Sequence, residues 1–97
     1  AQLSDYAQRV LDRQAAFMKA RPETRVTIGG HADERGTREY NLALGERRAS
    51  SARDYLVAKG VNAARIRIIS YGKERPASVG STEAAWRLNR RAQTVLN

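Results

Sequence analysis

Asp33 and Arg48 are the residues of this chain whose chemistry most invites a ligand. A carboxylate accepts hydrogen bonds from an ammonium, and a guanidinium offers two parallel N–H donors that match a carboxylate. Together they can receive a zwitterion, with Asp33 facing its ammonium and Arg48 its carboxylate. The same pair also admits a structural ion pair or two unrelated surface charges, and exposed pairs of that kind contribute little. Arg47, beside Arg48, is the obvious rival for the same role. Spacing alone leaves all these readings open.

Other chemistries find less support. His31 is the single histidine and there is no cysteine, so thiolate catalysis, disulfides and cysteine-based zinc sites are excluded. With Asp33 and Glu34, His31 would make a poor oxygen-rich metal site, and a hydrogen-bonded histidine at a strand end is the preferred reading. A hydrolase built on His31 and Asp33 needs a nucleophile. Ser70 and Ser78 are available, but nothing in their context suggests activation. No metal, cofactor or catalytic residue is therefore expected.

These residues need elements to position them. Leu3, Ala7, Val10, Leu11, Ala15 and Met18 recur at helical spacing, with Ser4 as N-cap and Pro22 beyond the end. Phe17, next to Met18, is expected in the core. Alternation and β-branching predict a strand over Arg25–Gly29. Gly29-Gly30 then loosens the backbone into a polar loop from His31 to Thr37. A second helix is expected from Thr37 to Lys59, with Leu44 opening its main stretch and a break near Asn41 or Gly45, both weak helix formers. Gly60 closes it. Ile66–Tyr71 reads as a second strand, Ser81 or Thr82 as the cap of a short helix through Leu88, and Ala92–Leu96 as a closing strand. Trp86 lies on that short helix, where a structural role is preferred. This alternation predicts an α/β (α+β sandwich) fold, with helices packed on one small mixed sheet. Residues 1–97 read as one domain.

The chain carries a formal net charge of +8, and fifteen of its eighteen basic residues are arginine. Such a surplus favours an anionic partner. The arginines are scattered through every segment with no run longer than two, and Asn89-Arg90-Arg91 is too little for a nucleic-acid patch. A solvated basic surface is preferred, and no nucleic-acid partner is expected. A nucleic-acid-binding domain stands as the alternative from another class, with a continuous positive face and steep salt dependence as its signs. No apolar run reaches the ~18 residues of a membrane span. The opening residues lack the basic and apolar regions of an export signal, so any membrane attachment is expected through an upstream lipid anchor.

Four separated stretches resemble one family in the right order. They are His31-Ala32-Asp33-Glu34-Arg35-Gly36-Thr37; Tyr40-Asn41-Leu42-Ala43-Leu44-Gly45-Glu46-Arg47-Arg48-Ala49; Ser70-Tyr71-Gly72-Lys73-Glu74-Arg75-Pro76; and Asn89-Arg90-Arg91-Ala92. Together they are similar to OmpA-like domains, particularly the peptidoglycan-associated lipoprotein branch. The resemblance runs from Leu3 onward. It implies non-covalent, non-catalytic binding of peptidoglycan through the diaminopimelate of the stem peptide. In the matching positions, Asp33 and Arg48 hold the zwitterionic end of that residue. Gly36, Thr37, Asn41 and Leu44 form the supporting loop and helix, with Asn41 organising the loop. Arg47 does not align with the motif arginine and reads as a surface charge. The resemblance also implies a TolB-like periplasmic partner in the Tol–Pal system and tethering of the outer membrane to the cell wall. An OmpA porin tail or a flagellar stator domain is the alternative within the family. Family members begin with a strand carrying a Phe-Asp pair, whereas this chain starts at the helix after it. A sheet without that strand is therefore expected, with an edge open to pairing with another chain.

Overall fold

A computed structural model describes residues 3–32, 35–72 and 92–97. Helix α1 (Asp5–Ala20) starts where the sequence supplies a cap: the Ser4 hydroxyl accepts the Ala7 N–H at 3.1 Å. Asp5 in its first turn and Lys19 in its last complement the helix dipole. Leu11, Ala15 and Met18 form its buried stripe. Strand β1 (Val26–His31) comes next, then α2 (Arg38–Ala58), a 3-10 turn at Ala63–Arg65, β2 (Ile66–Gly72) and β3 (Ala92–Leu96).

Strand β1 is central. It pairs in parallel with β2 and antiparallel with β3, giving the order β2-β1-β3. Val26, Ile28 and Ile66 meet Leu11, Ala15 and Met18 of α1 and Ala49, Ala52 and Leu56 of α2 in one core. Both helices thus cover one face of a small mixed sheet, the expected α/β arrangement. The short helix expected from Ser81 or Thr82, and Trp86 on it, fall outside the described residues.

Three expectations are corrected. First, β1 does not stop at Gly29. It runs through Gly30 to His31, and all three residues are buried. The absent side chain of Gly30 admits the Gly45 backbone, and that of Gly29 admits the Tyr71 ring, rather than loosening a loop. Second, α2 does not break at Asn41 or Gly45. Both lie on its buried face, where packing overrides weak propensity. Third, Phe17 is 39% exposed. The core stripe of α1 passes through Met18, one residue or about 100° away, and Phe17 instead carries the Arg21 guanidinium 4.1 Å above its ring.

The helix ends are tied to distant segments. Arg65 donates from Nη2 to the carbonyls of Met18 (2.8 Å) and Arg21 (2.6 Å), and from Nε to that of Thr24 (2.9 Å). It thus adds a charged donor to carbonyls at the end of α1 and in the turn after it, and places a positive charge at the negative end of the dipole. Gly60, at φ +103°, closes α2 in the left-handed region. The Lys19 ammonium reaches the Lys59 carbonyl at 3.0 Å. Between the helices, the Tyr55 hydroxyl donates to Asp12 at 2.8 Å, and Lys59 approaches the same carboxylate at 3.4 Å. The Tyr55 hydrogen bond lowers the Asp12 pKa from 3.8 against a smaller desolvation effect, and the Lys59 charge adds to the lowering.

Replacing Arg65 by alanine strips three carbonyls of a charged donor. It should cost about 2 kcal/mol in urea unfolding, with lysine recovering only part because it lacks the fork. A Tyr55→Phe change should lower stability at neutral pH. A depressed carboxylate pKa adds stability above its unfolded value, and that stability is lost as pH falls through the folded value. The gap between parent and variant should therefore narrow as the pH of thermal unfolding is taken below 3.8.

Candidate functional site

The site begins with how closely α2 lies on the sheet. A Cβ built on Gly30 would run into the carbonyl of Gly45, and one built on Gly45 would stand 2.8 Å from the Gly30 oxygen. Neither position has room for a side chain. Gly72, at φ +53°, fits the same seam: a Cβ there would lie 3.0 Å from the Leu42 nitrogen. Helix and strands thus meet backbone to backbone at the C-terminal ends of β1 and β2.

This approach brings Arg48 to the end of β1. Its Nη1 donates to the His31 carbonyl at 2.7 Å, and the side chain is half-buried. Arg47 is exposed, on the side of α2 that carries Glu46, Ser50 and Asp54. The two arginines occupy different environments despite being neighbours. The His31 ring is buried and stacks on Tyr71 at 5.2 Å between centroids. That contact lies across the sheet from α2, since Gly30, the residue between Gly29 and His31, faces the helix.

The stretch leading into α2 is held from the helix. Asn41, 1% exposed, donates from Nδ2 to the carbonyls of Arg35 (2.6 Å) and Thr37 (2.9 Å). Gly36 adopts φ +89°, and a Cβ there would lie 3.3 Å from the Tyr40 ring. Thr37 caps α2 by accepting the Tyr40 N–H at 3.1 Å. Leu44 is half-buried, one turn before Arg48. Arg48, Asn41, Thr37 and Gly36 therefore gather around one end of β1 and the start of α2. Asp33 falls outside the described residues. Among the described residues, no group of three acidic, histidine or cysteine side chains is placed to hold a metal. The motif reading did not single out the His31 carbonyl, which is backbone, or the glycine seam, which Gly29-Gly30 and Gly45 signalled only as weak spots.

A family model for the OmpA family matches residues 1–90. The chain belongs to the OmpA family. Within it, the chain is 60% identical over 90 residues to the peptidoglycan-associated lipoprotein of Rhizobium meliloti, covering 93% of this chain and 51% of that protein. It is 56% identical over 91 residues to the protein of the same name from Brucella melitensis, covering 94% and 54%. The chain thus spans about half the length of the curated relatives it matches. The crystal structure of the peptidoglycan-associated lipoprotein from Burkholderia pseudomallei superposes with a TM-score of 0.95 at 43% identity, covering 99% of this chain and 81% of that one. The C-terminal domain of Helicobacter pylori MotB superposes at 0.89 with 18% identity, covering 99% and 75%, and there the likeness is one of fold. The OmpA-family fold expected from the sequence is therefore the fold found.

The Asn41 contacts have a measurable consequence. Replacing Asn41 by alanine leaves the Arg35 and Thr37 carbonyls without its amide donor inside a tight turn. Stability should fall by about 1–3 kcal/mol, and hydrogen exchange should accelerate first at the amides of residues 35–40 rather than in the core strands.

Proposed function

We propose that this domain binds peptidoglycan of the diaminopimelate type through its stem peptide and so tethers the outer membrane to the cell wall. The observation that carries the reading is the placement of Arg48. Its guanidinium is half-buried and braced on the His31 carbonyl, two residues before Asp33 in the chain. A guanidinium has five N–H donors in a planar fork, so it can hold a backbone carbonyl and a carboxylate together. Diaminopimelate ends in an ammonium and a carboxylate. Arg48 receives the carboxylate and Asp33 the ammonium, with Gly36, Thr37, Asn41 and Leu44 shaping the surroundings. The names of the relatives, peptidoglycan-associated lipoproteins, support the same ligand and favour the lipoprotein branch over a porin tail or stator. The domain is a binding module and not an enzyme. By the same reading the whole protein sits in the periplasm on an outer-membrane lipid anchor. It docks a TolB-like protein within the Tol–Pal system, and residues 1–97 form its wall-binding domain.

Wall binding should depend on stem chemistry more than on net charge. Asp33→Ala and Arg48→Ala should each weaken binding of a soluble diaminopimelate stem peptide in calorimetry by ~2–3 kcal/mol, the lower part of the range for an interfacial charge pair. Arg48→Lys should also weaken it, and Arg47→Ala should change little. In moderate salt the parent should be retained on sacculi containing diaminopimelate and lost from walls with lysine at that stem position, since non-specific attraction is screened. Equal retention on both walls would overturn the assignment. Incubation with sacculi should release no soluble fragments.

A further inference from the structure

One hydroxyl bonds both the helix that carries Arg48 and the strand that pairs with the end of β1. Ser70 lies on β2, paired with Gly30 in the sheet. Its Oγ donates to the Leu42 carbonyl of α2 at 2.5 Å and accepts the Gly72 N–H at 3.3 Å. The first bond holds the helix. Leu42 already sits in a continuous α-helix, so Ser70 uses its carbonyl from outside, at the turn where Gly45 leaves room. The second bond holds the strand end. Pairing of β1 with β2 shifts register between Gly30 and His31, so that His31 stands opposite Gly72 and Tyr71 is passed over. The Gly72 carbonyl then accepts the Ala32 N–H at 2.7 Å. The backbone on either side of the His31 carbonyl is thereby fixed.

We infer that Ser70 is a positioning residue for Arg48: its hydroxyl fixes α2 against the irregular ends of β1 and β2, and so sets where the guanidinium meets the His31 carbonyl. The geometry supports this over a purely structural role. Arg48 lies six residues beyond Leu42, about 9 Å along the helix axis. A small tilt or slide of α2 at Leu42 therefore moves the guanidinium relative to a carbonyl that it now meets at 2.7 Å. The contacts at Gly30 and Gly45 prevent the helix from coming closer, but steric contact alone does not prevent it from sliding along the strands. A directional hydrogen bond from a strand to a helix carbonyl resists that slide. The consequence for ligand recognition rests on the reading of Arg48 given above; the consequence for the Arg48–His31 contact does not.

The experiment has two arms. In the first, side-chain NMR of the 97-residue chain follows the Arg48 guanidinium without ligand. The parent should show restricted rotation of a guanidinium held by a carbonyl, and Ser70→Ala should relax it while circular dichroism keeps the folded spectrum. Should Ser70→Ala not fold in buffer alone, it is compared with the parent in the stabilising osmolyte trimethylamine N-oxide. An unchanged Arg48 signal in a folded variant overturns the proposal. In the second arm, a soluble stem peptide ending in diaminopimelate is titrated into the parent, Ser70→Ala, Arg48→Ala and the double variant. Ser70→Ala should bind roughly five-fold more weakly, in keeping with one modest hydrogen bond. The double variant should bind no more weakly than Arg48→Ala, because the hydroxyl acts through the arginine. A five-fold penalty that persists undiminished without Arg48 overturns the positioning role. Equal binding by Arg48→Ala and the parent would instead sink the wall-binding assignment, leaving the first arm to decide on Ser70.

Discussion

The structure depends on the contact of two backbones without side chains between them. At Gly30 and Gly45 a helix rests directly on a strand, close enough that a methyl group on either would overlap the other segment. A helix is ordinarily held off the sheet that it covers by a layer of side chains. Here that layer thins at one end and remains full at the other, where Ile28, Leu56 and Ile66 fill the gap. The helix therefore converges on the sheet towards the C-terminal ends of β1 and β2. The result is a shallow seam in which backbone carbonyls, a hydroxyl and a guanidinium meet, rather than more core.

That convergence explains why neighbouring arginines differ. Arg48 falls on the flank of α2 that meets the end of β1, and it is half-buried against a carbonyl; Arg47 falls about 100° away, in solvent. A protein with fifteen arginines cannot distinguish one of them by charge. It distinguishes Arg48 by where the helix is pinned. The same pinning accounts for the burial of Asn41, whose amide serves the turn before the helix rather than the helix itself.

The elements were largely legible in the sequence because their signals are local. Ser4 and Gly60 mark helix ends by hydrogen bonding and by left-handed φ, and β-branched runs mark β1 and β2. The candidate site was proposed through its motif: spacing left Asp33 with Arg48 as one reading among several, and Asp33 lies outside the described residues. What local signals could not convey was tertiary. Gly29-Gly30 and Gly45 read as weaknesses because propensity describes a chain alone, whereas their function appears when two segments meet. Phe17 misled for a related reason. Helical periodicity gives the width of the apolar stripe only approximately, and one residue shifts a side chain from the core to the rim. Arg65 carried no signal at all, since its acceptors lie more than forty positions earlier and are backbone.

The central position of β1 has a consequence in time. Its neighbours in the sheet are β2, which ends at Gly72, and β3, which occupies the last described stretch of the chain. Val26 pairs with Leu96, and the C-terminal carbonyls of α1 wait for Arg65. Neither α1 nor β1 can complete its hydrogen bonding until the later strands are present. A chain emerging N-terminus first during synthesis cannot lay down a finished N-terminal half. Isolated helices of this length are marginal in water, so α1 and β1 draw their order from the later segments that pair with them.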